Sequence, residues 1–207
     1  MVEVRALRRE EIPSAVALLA RGFRDNPNPI AAFGDDPARR QRCLRLVFGG
    51  LFRVMQAQAP LVALEDGTMV GVTGIAPPGA CQPDFVQQVR MVVSMLALGP
   101  RSITRLKRWF GAWAAVDPDE PHSHLGPLAV AAHLRGRGLG SRILRVYSRQ
   151  LDKDGITGYL ETETEANVRL YRRFGFEIVD ERTVLGQPNW FMRRAALAAS
   201  SELPHTW

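Results

Sequence analysis

Between Leu125 and Ser141 the chain reads LGPLAVAAHLRGRGLGS, an apolar strand that runs into a glycine-rich, doubly basic turn and then into an amphipathic helix. A strand, a tight turn and a helix in immediate succession commit this part of the chain to an α/β arrangement. Glycines let backbone amides close around phosphate oxygens. The first turn of a helix leaves its amides without intrahelical partners, and the helix dipole favours negative charge there. The turn is therefore an anion cradle, and its expected ligand carries phosphate.

Spacing separates three phosphate-binding readings. A nucleotide P-loop needs Lys and then Ser or Thr after its last glycine, whereas Gly140 is followed directly by Ser141 and Arg142. The dinucleotide fingerprint needs G-x-G-x-x-G in a βαβ unit, whereas Gly136, Gly138 and Gly140 alternate strictly and come late in the chain. Glu161 lies at roughly the distance at which a ribose-binding acid is expected, a coincidence that does not rescue that reading. The third reading takes the residues from Arg135 as R-x-x-G-x-G after a strand ending in Leu128-Ala129-Val130. Downstream, Asn167, Tyr171 and then Gly175-Phe176 place an Asn and a Tyr on a short helix that leads into a strand. In that order the two motifs resemble the GNAT superfamily of acetyl-CoA-dependent N-acetyltransferases. Ala132 stands where the family often has Pro and Leu134 where an aromatic is common; neither removes a donor from the turn.

The resemblance implies a mixed, mostly antiparallel sheet flanked by helices, with acetyl-CoA as co-substrate. It implies that the strand through Leu128, Ala129 and Val130 splays from its neighbour and hydrogen-bonds pantetheine, with an amide near Val130 facing the thioester carbonyl. Arg135, Gly136, Arg137, Gly138, Leu139, Gly140 and Ser141 then hold the pyrophosphate, and Asn167 and Arg173 reach the pantetheine or the 3′-phosphate. It places Tyr171 near the coenzyme sulfur as the acid that protonates the departing thiolate. An alkylamine with a pKa of about 10.4 must also lose a proton. Glu161 is the leading base, with His122 and His124, just before the cofactor strand, as alternatives and Glu163 and Glu165 behind them. The acceptor is a primary amine on a small molecule or a protein. A non-catalytic acyl-CoA sensor or interaction domain is the alternative.

Composition bounds the rest. With 207 residues, 46% hydrophobic and 23% charged, the chain suits one domain over 1–194 with a loose tail over 195–207. No run of about 18 apolar residues exists and the first residues lack a signal-peptide core, so the expectation is a cytoplasmic protein with no membrane partner. Cys43 and Cys81 make neither a metal-ligand spacing nor a disulfide framework, and no metal site is expected. The net charge is +6, but the arginines are scattered and not interleaved with aromatics, which argues against nucleic acid as a partner. A homodimer is left open.

Periodicity supplies the scaffold. Val2–Leu7 reads as a strand, Glu11–Phe23 as a helix, Asp25–Pro29 as a loop and Arg39–Gln56 as a helix. Leu61–Glu65 and Met69–Ala76 form a hairpin across Asp66-Gly67-Thr68. From Asp84 to Trp113 two helical stretches broken at Gly99-Pro100 form an insertion suited to wall an acceptor pocket. A helix over Gly138–Lys153 and a strand over Gly158–Thr162 follow. Phe176–Asp180 then pairs with Asn189–Met192 across a turn containing Gly186-Gln187-Pro188.

Overall fold

Seven strands make one sheet in the order β1-β2-β3-β4-β5-β7-β6, antiparallel throughout except where β4 meets β5. The structure, a computed structural model, describes residues 1–54, 60–80, 86, 89 and 95–197. In chain order the elements are β1 (Val2–Ala6), α1 (Ile12–Phe23), α2 (Pro27–Phe33), α3 (Pro37–Val54), β2 (Leu61–Glu65), β3 (Thr68–Ala76) and α4 (Pro100–Ala114). They continue with β4 (His122–Val130), α5 (Leu139–Asp154), β5 (Thr157–Thr162), α6 (Glu165–Arg172), β6 (Glu177–Val184) and β7 (Gln187–Arg194). This is the mixed, mostly antiparallel α/β architecture that the sequence implies. The first half of the expected insertion and the chain beyond Leu197 fall mainly outside the described residues.

Helices cover both faces of the sheet. Adjacent strand residues point to opposite faces, and β4 shows which helix lies where. The Tyr147 hydroxyl of α5 donates to Ser123 Oγ at 3.1 Å, which puts α5 on the Ser123 face. His122 and His124 point the other way. On that other face α1 lies so close that a side chain at Gly22 would put its first carbon 2.6 Å from the Ala129 methyl group. An even-numbered pair and an odd-numbered residue share this face because β4 carries a bulge. Leu125 pairs with Ile75 and Leu128 with Thr73, so Gly126 and Pro127 together oppose Gly74. The extra residue shifts the alternation by one, and His122, His124 and Ala129 all turn toward α1.

Several expectations need correction. The loop over Asp25–Pro29 is largely helix α2. Asn26 sits outside as its cap residue, and the prolines at 27 and 29 occupy first-turn positions where a missing N–H costs nothing. Clustered prolines read as a loop only when helix-start geometry is left out of account. His122 and His124 belong to β4 instead of preceding it. The last hairpin is longer than periodicity suggests and turns at Leu185-Gly186, both with positive φ, so Gln187 and Pro188 are strand residues. The hairpin of β2 and β3 turns at Asp66-Gly67, also both with positive φ, the pattern that matches strand twist.

Candidate functional site

The ladder between β4 and β5 is short. His122 pairs with Thr157, Ser123 with Gly158 and His124 with Tyr159, and there it stops. Strand β5 stays with β7 as far as Thr162, and β4 stays with β3 as far as Val130. A wedge therefore opens between Leu125–Val130 on one side and Leu160–Thr162 on the other. The parting leaves backbone groups of a strand facing an open slot, and those groups demand partners from a ligand or water. Leu128, Ala129 and Val130 line the wedge on the β4 side.

At the end of β4 the chain passes through Ala132–Leu134 in a 3-10 turn and reaches the glycine turn. Gly136 and Gly138 have φ of 81° and 76°, a region where side-chain-bearing residues are strained. No atom lies within 4 Å of where their side chains would begin, so the glycines serve backbone shape and the space above them is open. Gly138 caps α5 with no side-chain hydrogen bond, and the Leu139, Gly140 and Ser141 amides begin the helix without intrahelical acceptors. The turn fits a diphosphate by shape and by donor type. Around it, Arg135 donates to the Gly22 carbonyl at 3.2 Å and Arg137 lies 3.2 Å from Glu65 Oε1, both at the surface. Arg173 is exposed just after α6. Asn167 uses its amide to donate to Thr162 Oγ1 at 3.1 Å, tying α6 to the end of β5.

Beside the wedge stand the ionisable groups. The Glu161 side chain, 4% exposed, accepts a hydrogen bond from His124 Nε2 at 2.8 Å. The second ring nitrogen of His124 lies 3.6 Å from Asp117 Oδ1, and His122 Nε2 lies 3.3 Å from the same oxygen. Burial alone would raise the Asp117 carboxyl, but the two imidazoles outweigh it and hold that carboxyl well below its ordinary range. Tyr159 packs edge-on against both imidazoles, and burial raises its phenol. Glu163 is 5% exposed and accepts from Asn26 Nδ2 at 2.9 Å; burial pushes its carboxyl up. Tyr171, on α6, is buried and packs edge-on against Phe176. Burial first, then the charges of Glu163 and Glu161, raise its phenol above the ordinary value. Tyr171 and Glu161 thus share one electrostatic neighbourhood, while Glu165 sits on the exposed first turn of α6, 3.3 Å from Arg169.

A family model described as the acetyltransferase (GNAT) family matches residues 26–176. The chain belongs to the GNAT acetyltransferase family. It is 22% identical over 198 residues to the probable N-acetyltransferase 14 of Xenopus tropicalis, covering 89% of this chain and 91% of that protein. Its fold is similar to that of a histone acetyltransferase HPA2 and related acetyltransferase from Corynebacterium glutamicum, with a TM-score of 0.72 at 20% identity, over 96% of this chain and 98% of the other. It is also similar to the PaiA N-acetyltransferase of Thermoplasma acidophilum in complex with coenzyme A, with a TM-score of 0.59 at 12% identity, over 94% and 99% of the two chains.

Two groups of this GNAT chain escape sequence reasoning. Asp117 lies in an Asp-Pro-Asp-Glu-Pro stretch that reads as polar linker, and only the fold swings it under the β4 histidines. A buried network joins Asn28 of α2, Asn189 of β7 and Trp113 of α4. Asn28 Nδ2 donates to Asn189 Oδ1 at 2.7 Å, and the Trp113 indole N–H donates to the same oxygen at 2.9 Å. Both asparagines have no exposed surface, so each unmet polar atom would carry a desolvation cost. Through this network helix α4 is moored to α2 and β7. Among the described residues, no helix is long and apolar enough to cross a membrane.

Proposed function

We propose that the chain moves the acetyl group of acetyl-CoA to a primary amine by direct attack. The observation that carries this reading is the parting of β4 from β5 after the His124–Tyr159 pair, with the glycine turn following β4, Glu161 on β5, and Tyr171 within the electrostatic reach of Glu161. Arg135 to Ser141 hold the pyrophosphate with backbone amides and the helix dipole. Leu128, Ala129 and Val130 pair with pantetheine as an added strand would, and Asn167 and Arg173 lie toward its flanks. Bound in this way, acetyl-CoA supplies an activated thioester.

The chain's own groups supply the proton transfers. Glu161, oriented by His124, takes a proton from the incoming ammonium or from a water next to it, so that nitrogen can attack the carbonyl carbon. A main-chain N–H near Val130 stabilises the charge that develops on the carbonyl oxygen. As the carbon–sulfur bond breaks, the attacking nitrogen releases its second proton to solvent, and the Tyr171 phenol donates to the thiolate and is reprotonated from solvent. Its raised pKa keeps the phenol protonated at neutral pH, as a donor must be. The acceptor class covers small molecules and protein amines. Thiol release from acetyl-CoA across a panel of primary amines tests the reading, with calorimetric titration of acetyl-CoA alongside. Turnover with at least one amine is expected. Tight binding without thiol release from any amine would identify a sensor instead.

A further inference from the structure

Behind the Glu161 pair, the two imidazoles of β4 converge with the carboxylate of Asp117. His122 Nδ1 lies 2.8 Å from the Glu120 carbonyl oxygen, which can only accept, so a neutral ring carries its proton there. His124 Nε2 faces a Glu161 carboxylate oxygen at 2.8 Å, which fixes its proton on that side by the same reasoning. In both rings the second nitrogen lies close to Asp117. His122 Nε2 lies 3.3 Å and His124 Nδ1 3.6 Å from Oδ1 of an ionised carboxylate. That oxygen is buried, on a side chain 10% exposed, and has no hydrogen-bond partner. Three possible ligand atoms, one from each residue, all lie within 4.8 Å of one another.

We propose that Asp117, His122 and His124 form a binding site for a divalent transition cation of the zinc class. A cation at the centre would be coordinated by all three groups and would give the buried Asp117 Oδ1 a partner. Around a tetrahedral zinc with bonds of about 2.0–2.1 Å, neighbouring ligand atoms lie about 3.3 Å apart; the two separations from Asp117 Oδ1 are 3.3 and 3.6 Å, and with all three atoms within 4.8 Å of one another the rings need only close in slightly on the ion. The outer nitrogens already have the partners that metal-bound histidines require. Glu161 holds one ring and the Glu120 carbonyl the other, which fixes tautomer and orientation. Two imidazoles and one carboxylate suit zinc, cobalt or nickel better than magnesium or calcium. The site would clamp the segment after α4 to the root of the β4–β5 wedge and hold His124 against Glu161. It does not depend on the acyl-transfer reading.

The test uses the full chain, stripped with a chelator and then dialysed against zinc sulfate. Elemental analysis is expected to find about one zinc ion per chain. Saturating zinc is expected to raise Tm by roughly 5–10 °C, as ligand linkage implies for a chain of this size. Asp117→Asn and His122→Gln should lose the ion and the shift, while His133→Gln, at an exposed turn, should keep both. Asp117→Cys should regain the metal and give cobalt a thiolate charge-transfer band, a readout independent of activity and of the fold surviving the asparagine change. If the unaltered chain retains well under one zinc ion, if Asp117→Asn takes up as much zinc as the unaltered chain, or if Asp117→Cys gives cobalt no thiolate band, the proposal is overturned and the rings are an imidazolium pair balanced by Asp117.

Discussion

Tyr171 combines two properties that pull against each other. It is buried in the core beside Phe176, yet it is cast as the donor to a departing sulfur. Tyr171→Phe keeps the packing and removes only the hydroxyl. It should lower kcat by roughly 10²-fold, the low end of what a positioned acid contributes, and leave acetyl-CoA affinity close to the original. Equal kcat in the two proteins, measured under saturating amine, would remove the assignment. Gly138 offers a complementary probe because its demand is one of backbone shape. Gly138→Val forces a β-branched residue into φ near 76° although nothing blocks its volume. Misdirecting the amides that follow should weaken acetyl-CoA binding about ten-fold or more, a loss of about 1.4 kcal/mol, with kcat at saturation less affected. Calorimetry on the variant decides it.

At the scale of elements, Arg40 links three helices. From α3 its Nε donates to the Arg24 carbonyl at the end of α1 at 2.6 Å, and Nη1 to the Gly34 carbonyl at the end of α2 at 3.0 Å. Nη2 reaches Asp25 at 2.8 Å. Terminal carbonyls of two helices thus share one guanidinium, itself 5% exposed. Arg40→Ala should cost about 1–3 kcal/mol by stranding those carbonyls. In a chain of this length each kcal/mol is about 2–4 °C in Tm, so thermal unfolding should show the loss, and Arg40→Lys should recover little of it. None of this is visible in the sequence, where Arg40 is one arginine among many. Elements with a strong period were legible: α1, α5 and the hairpin of β2 and β3 appear within a few residues of their expected ends. So was the glycine turn as a backbone shape, because positive φ is a local property. Helix α2 was not, since its signal lies in cap geometry and in burial of Asn28 against β7, a partner 161 residues away. The bulge at Gly126-Pro127, which brings the histidines and Ala129 onto one face, likewise comes from pairing with β3 and not from alternation in β4 itself.

Across the whole molecule, acid stability is set at a few ion pairs. Glu11 is held down to about 2, first by the Arg5 guanidinium at 2.6 Å and then by the Arg8 amide. Asp25 is held down to about 2 by hydrogen bonds from Arg24 and then Arg40. Both carboxyls have folded pKa values below their unfolded ones. The stability they give is complete above the unfolded values near 4 and is lost as pH falls toward 2. Tm should therefore fall across that window, and Glu11→Gln with Asp25→Asn should flatten the slope there while lowering Tm at pH 7. A variant whose acid slope equals that of the original chain would place the sensitivity elsewhere.

The parting of β4 from β5 also bears on how far such a chain can drift. A slot walled by main chain asks its side chains only to stay compatible with an extended strand, so one residue can replace another along it without altering the donors and acceptors on offer. Inheritance then acts on the course of the backbone more than on the letters that specify it. On that account a chain sharing one residue in five with the similar Corynebacterium structure can keep the same fold.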